Sequence, residues 1–169
     1  MTKRRKSVTH GIAVVIGGGM YVIASHASMA QMSEPPSIAA GTPCGQRPYS
    51  IALKVEGIRE AEGLITVDLH GDNPKEFLKL GTVKLRTRVP AVAPDTTVCI
   101  PVEQPGVYAI ALYHDRDANR RLNKTWIGLP DEPVGLSNNP PMRMAMPKHE
   151  HSAFKVEGPL MPLTIRLHH

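Results

Sequence analysis

Beyond its first thirty residues this chain has no apolar run near the roughly 20 residues that a membrane-spanning helix needs, so nothing after residue 30 predicts a membrane span. It lacks a G-x-S-x-G elbow, an H-E-x-x-H pair, a Gly-rich phosphate loop and a second carboxylate pair at a telling position. The local signatures of hydrolase, zinc-protease and nucleotide chemistry are therefore missing. Helical periodicity is almost absent, and no internal repeat divides the chain. Cysteine is scarce, with Cys44 and Cys99 alone.

What is present begins with an address. Lys3, Arg4, Arg5 and Lys6 precede a short apolar stretch, and Ser28-Met29-Ala30 places small residues where a signal peptidase cuts. Residues 1–30 are expected to be a cleaved signal peptide, and the protein to be exported to the periplasm or secreted. Four of the twenty Lys and Arg leave with that segment, and the remainder nearly balance the fifteen Asp and Glu. The mature chain thus has no clustered basic face, which argues against nucleic acid as a partner. In an exported chain Cys44 and Cys99 are expected to form a disulfide, worth about 4 kcal/mol in the chain-entropy account. Two buried thiols or a two-thiolate metal site are the rival readings.

Residues 31–48, with Pro35, Pro36, Gly41 and Pro43, read as a flexible lead-in, and residues 49–169 as one domain. From Tyr49 onward the period is two. Tyr49, Ile51, Leu53 and Val55 alternate with polar neighbours, as do Ile65, Val67 and Leu69, and the two runs read as a hairpin or meander. Residues 75–80 could make one helical turn with Phe77 and Leu80 facing inward. Val83, Leu85, Thr87 and Val89 oppose Lys84, Arg86 and Arg88, whose side is expected to be solvated. Further strands are expected at residues 96–102, 107–114, 152–157 and 162–167. About seven short strands with Pro and Gly punctuation predict an all-β fold, a single two-sheet antiparallel sandwich of immunoglobulin or prealbumin type. A long ordered loop follows the fifth strand.

That loop carries most of the chemistry. Residues 106–139 read GVYAIALYHDRDANRRLNKTWIGLPDEPVGLSNN. The run G-x-Y-A-I-A-L-Y-H-D-x-D-x-N-x-x-L-N, followed by I-G-L-P-D-E-P-V-G-L-S-N-N, resembles the bacterial exported family DUF2141. The matching positions include His114, Asp115, Gly128, Pro130, Glu132, Gly135, Ser137, Asn138 and Asn139. The resemblance implies a signal peptide followed by a β-sandwich, and it implies no biochemical activity. Arg120 stands where the family prefers Gly and Asn123 where it prefers Asp, so a ligand-binding turn here would be less acidic and less able to reach a left-handed backbone. Residues 142–147 also depart from the family.

Three kinds of chemistry are conceivable in the loop. Asp115, Asp117, Asn119, Arg121 and Asn123 fall at alternate positions of an EF-hand-like turn, where calcium would be the cofactor, with Asp131 or Glu132 completing the shell. Trp126 occupies the place of the bidentate Glu. The bland alternative is that these side chains cap their own backbone in Asx turns. Met142, Met144, Met146, His149 and His151 make a second, softer set suited to copper, against which stands the use of Met as core filler. His114 beside Asp115 has the residue types of an enzyme, but adjacent strand residues face opposite ways. Trp126, Ile127 and Leu129 are expected to pin the loop to the sandwich edge, Ser137, Asn138 and Asn139 to satisfy backbone groups, and His168 and His169 to fray. The resulting expectation is a non-enzymatic binding or envelope-associated module, with an envelope protein or a glycan as the conceivable partner.

Overall fold

Alternation decides the core. Ile51, Leu53 and Val55 from one strand, and Ile65, Val67 and Leu69 from another, are each 3 % exposed or less, because every second side chain of a half-buried strand points the same way. The computed structural model describes residues 35, 37–38, 43–142 and 147–169. Among these, the strands are β1 (Ser37–Ile38), β2 (Tyr49–Glu56), β3 (Leu64–His70), β4 (Leu85–Pro90), β5 (Asp95–Val102), β6 (Gly106–Asp115), β7 (Val134–Leu136), β8 (Ala153–Val156) and β9 (Leu160–Arg166). A 3-10 turn at Leu80–Thr82 and a short helix, α1 (His149–Ser152), complete them.

The strands form two sheets. The larger runs β1-β4-β3-β6-β7 with β8 also paired to β6, and the smaller runs β5-β2-β9. Ile51, Val98, Ile100 and Ile165 of the small sheet meet Val67, Ile110, Leu112 and Val156 of the large one in a single apolar cluster. The all-β sandwich is therefore the fold, and Cys44 is bonded to Cys99 of β5 with a Cα–Cα separation of 5.2 Å. The strands beyond the expected seven include β1 and β7, of two and three residues, too short to show a period of two.

Several local expectations are corrected. The runs at β2 and β3 are not a hairpin but lie in opposite sheets. The link between them contains Gly57 and Gly63, at φ 86° and 70°, and carries the chain from one side of the core to the other. The sheets are not wholly antiparallel, since β9 runs parallel to β2 and β1 parallel to β4. The helical turn over 75–80 does not form as expected: Leu78 has φ 61°, Phe77 is buried and Leu80 is 61 % exposed. Within the lead-in, Ser37–Ile38 pairs with Arg86 and Thr87. The C-terminus is held, since His168 exchanges backbone hydrogen bonds with Val134 and His169 Nε2 meets the Gly57 carbonyl at 2.8 Å. Arg86 is 7 % exposed rather than solvated. Its side of the sheet is partly roofed by residues 78–83 and 120–130, and alternation alone cannot report a roof.

Candidate functional site

The long connection after β6 divides into an Asp/Asn turn, a projecting hairpin and a return strand. At the turn, buried Asp115 accepts the Asn119 amide on Oδ1 at 3.0 Å and the Arg120 amide on Oδ2 at 2.8 Å. Buried Glu132 reaches back to accept the Arg116 and Asn123 amides, each at 2.9 Å. Asp117 accepts the Asn119 amide and the side-chain amides of Asn119 and Asn123. The Asn123 amide, first among its partners, holds the Asp117 carboxyl below its ordinary range. Asn119 Oδ1 in turn accepts the Arg121 amide at 2.7 Å. One oxygen each of Asp115, Asp117 and Glu132 lie within 4.8 Å of one another, so three carboxylates converge while bonding the loop's own N–H groups. Arg120 reaches φ 65°, against the expectation that its side chain would hinder a left-handed backbone. Its amide bond to Asp115 offsets a strain of about 1 kcal/mol.

The hairpin spans an antiparallel bridge between Lys124 and Pro130, with the Gly128 amide donating to Thr125 at 2.9 Å and Gly128 at φ 83°. Its tip contradicts the expected pinning role: Trp126 is 96 % exposed, Ile127 58 % and Leu129 50 %. The bridge itself fixes the hairpin, so these side chains project instead of packing.

The return places its polar side chains on backbone groups. Ser137 Oγ accepts the Ile110 amide at 2.9 Å and donates to the Ser152 carbonyl at 2.5 Å. Asn138 Nδ2 donates to Ala153, while Asn139 donates to the Thr164 carbonyl and accepts the Arg166 amide at 2.7 Å. This triplet thus links β6, β8 and β9 across both sheets. Gly135 sits so close to β9 that a Cβ would lie 2.7 Å from Ile165 Cγ2.

His114 is 1 % exposed, and its Nε2 stands 2.7 Å from the Glu62 carbonyl. A ring nitrogen facing a carbonyl must donate, so the imidazole serves as a strut. Of the Met/His set, Met144 and Met146 lie outside the described residues. Met142 packs against the small cluster of Phe77, Ala109 and Leu136. His149 is buried with Nε2 at 2.9 Å from the Gly71 carbonyl and its ring edge-on to Phe77. His151 is exposed near Glu150. Met142 and His149 thus share Phe77 as a packing neighbour, while His151 is turned to solvent.

Alternation had not pointed to the outer face of the large sheet. Outward positions of β6 are Ala109, Ala111 and Tyr113, since Ile110 and Leu112 point into the core. Ala111 faces Asp68 on β3 and Leu136 on β7, and Asp68 faces Arg86 on β4. Arg86 Nη2 lies 2.6 Å from Asp68 Oδ2, with Nε on Oδ1. The small alanines leave room above the sheet, and residues of the 78–83 turn and of the 120–130 hairpin line the same space. That space is a groove of about 640 Å³, within the range of small-molecule sites. His70 also lines it, 2 % exposed, with Nδ1 lacking a partner among the described residues. Burial pushes its pKa below the ordinary value, against the raising effect of Asp68 and with lowering effects from His149 and Arg86. The one sequence signal for the groove was the pair of alanines at alternate positions of an otherwise bulky strand.

The model of the family described as "Uncharacterized protein conserved in bacteria (DUF2141)" matches residues 53–162. The chain therefore belongs to that family. No curated protein and no solved structure matches it.

Proposed function

We propose that this DUF2141 member is an exported, non-enzymatic binding module whose ligand lies in the groove between the outer face of β3, β4, β6 and β7 and the loop that follows β6. The groove itself carries the reading: a volume of about 640 Å³ over the sheet, walled by a loop whose Asp/Asn turn is tied by buried Asp115 and Glu132 and whose hairpin is closed by backbone hydrogen bonds. Export is supported by the leader-like residues 1–30 and by the Cys44–Cys99 bond, which suits an oxidising compartment. The burial of His114 and its bond to Glu62 favour a strut over a catalyst. A fluorine-NMR screen of small fragments of mixed charge tests the groove. Fragments that bind the mature protein and lose binding in Ala111→Trp support it, and hits indifferent to that substitution overturn it.

A second reading, calcium in the Asp/Asn turn, is supported by the convergence of Asp115, Asp117 and Glu132. It requires the ion to compete with backbone amides for the same carboxylates. Melting of the chelator-treated protein with and without millimolar calcium tests it, because an ion bound only by the folded chain raises the midpoint by mass action. An unchanged midpoint removes the reading.

A further inference from the structure

Resting on the groove as the binding site, we propose that its ligand is an anionic amphiphile, an alkyl or similarly apolar body ending in a carboxylate or phosphate. Charge complementarity is the first ground. Lys79, Arg120, Arg121 and Lys124 all line the groove and are exposed. Among the described residues none of these four side chains is in a salt bridge. The groove has one acid, Asp68, and Arg86 already holds it. Four cations outside any salt bridge, around one carboxylate that Arg86 holds, give the lining itself an excess of positive charge that favours an anion over a cation.

The walls supply the second ground. Leu78, Leu80 and Leu129 line the groove at 37 %, 61 % and 50 % exposure, and Ala111, Leu136 and Met142 continue the apolar surface over the sheet. Large aliphatic side chains gathered at one exposed concavity mark a place that a ligand covers. A fully hydrated ion such as free phosphate would use the cations and leave these walls wet. A neutral hydrocarbon would use the walls and leave the cations idle. An amphiphile uses both, and His70 Nδ1, buried and unpartnered, adds a polar atom within the same lining.

The test is calorimetric titration of the mature protein with four twelve-carbon probes, each below its micellar concentration: dodecanoate, dodecyl phosphate, 1-dodecanol and dodecyltrimethylammonium. Dodecanoate or dodecyl phosphate is expected to bind at least about tenfold more tightly than dodecanol, with the trimethylammonium weakest, and to weaken with added salt. The relative affinity of the two anions separates a carboxylate ligand from a phosphate one. The exposed pair Arg121→Glu with Lys124→Glu should abolish the preference, and exposed Leu80→Glu should weaken the anions without disturbing the fold. Equal binding of dodecanol and dodecanoate, blocked by Ala111→Trp, overturns the anionic ligand and leaves the groove as an apolar site. Binding of no probe overturns the amphiphile, and the fragment screen then decides whether the groove binds anything.

Discussion

Arg86 Nη2 stands 2.6 Å from Asp68 Oδ2 across the β3–β4 pair, with both side chains largely buried on a sheet face that alternation assigns to water. Removing one partner leaves a charge with little solvent. Arg86→Leu takes the guanidinium from the largely buried Asp68 carboxylate and is therefore expected to cost about 3 kcal/mol, the usual penalty for orphaning a buried ion. Replacing both residues by apolar ones of similar volume should cost far less. Urea unfolding of the single and double variants checks this, and equal losses would show that the face is wet.

The Asp/Asn turn should be governed by its buried carboxylates. Asp115→Ala strands the Arg120 amide and leaves that of Asn119 only its 3.2 Å bond to Asp117, and Glu132→Ala strands those of Arg116 and Asn123. Each is expected to destabilise the protein by about 2 kcal/mol, one unmet donor costing on the order of 1 kcal/mol or more. Asp117→Ala, at an exposed position, should have a much smaller effect. Equal effects at all three positions in unfolding experiments would contradict this ordering.

His70 makes stability fall in mild acid. Its folded pKa lies below its ordinary 6.5 because burial disfavours the charged ring, so the unfolded chain binds its proton first as pH drops. Stability from this group is complete above about pH 6.5 and declines as pH falls from there toward the folded pKa. The difference in melting temperature between pH 7.5 and pH 5.5 should shrink in His70→Gln. An unchanged difference would assign the acid sensitivity elsewhere.

Gly135 tests how tightly the return strand meets β9. An added methyl would meet Ile165 at 2.7 Å and the Arg166 carbonyl at 3.1 Å. Gly135→Ala should cost about 1–3 kcal/mol through overpacking, seen as a lower melting temperature with the fold intact by circular dichroism.

These sites differ in how far the sequence announced them. The alternation at β2 and β5 and the backbone-satisfying role of Ser137, Asn138 and Asn139 were legible because each depends on a few neighbouring residues. Arg86 and Trp126 were not. Period two reports which side of a strand a residue occupies, and hydropathy reports what a side chain prefers, but neither reports where a distant loop comes to rest. Glu132 joins Asp115 only because the hairpin brings residues seventeen apart back together. The groove needs Ala111 from a strand, Leu80 from a turn and Leu129 from a hairpin, a conjunction that no window of sequence contains.

The most direct test of the groove as binding site is an amide NMR titration of the isotope-labelled mature protein with dodecanoate. Saturable shifts should concentrate at His70, Ala111, Tyr113, Gly128 and Leu136, which surround the groove, and leave Ile51, Leu53 and Ile100 in the opposite sheet unmoved. Shifts centred on the small sheet would contradict the groove as the site, and none at any concentration below the micellar limit would contradict the anionic amphiphile as its ligand.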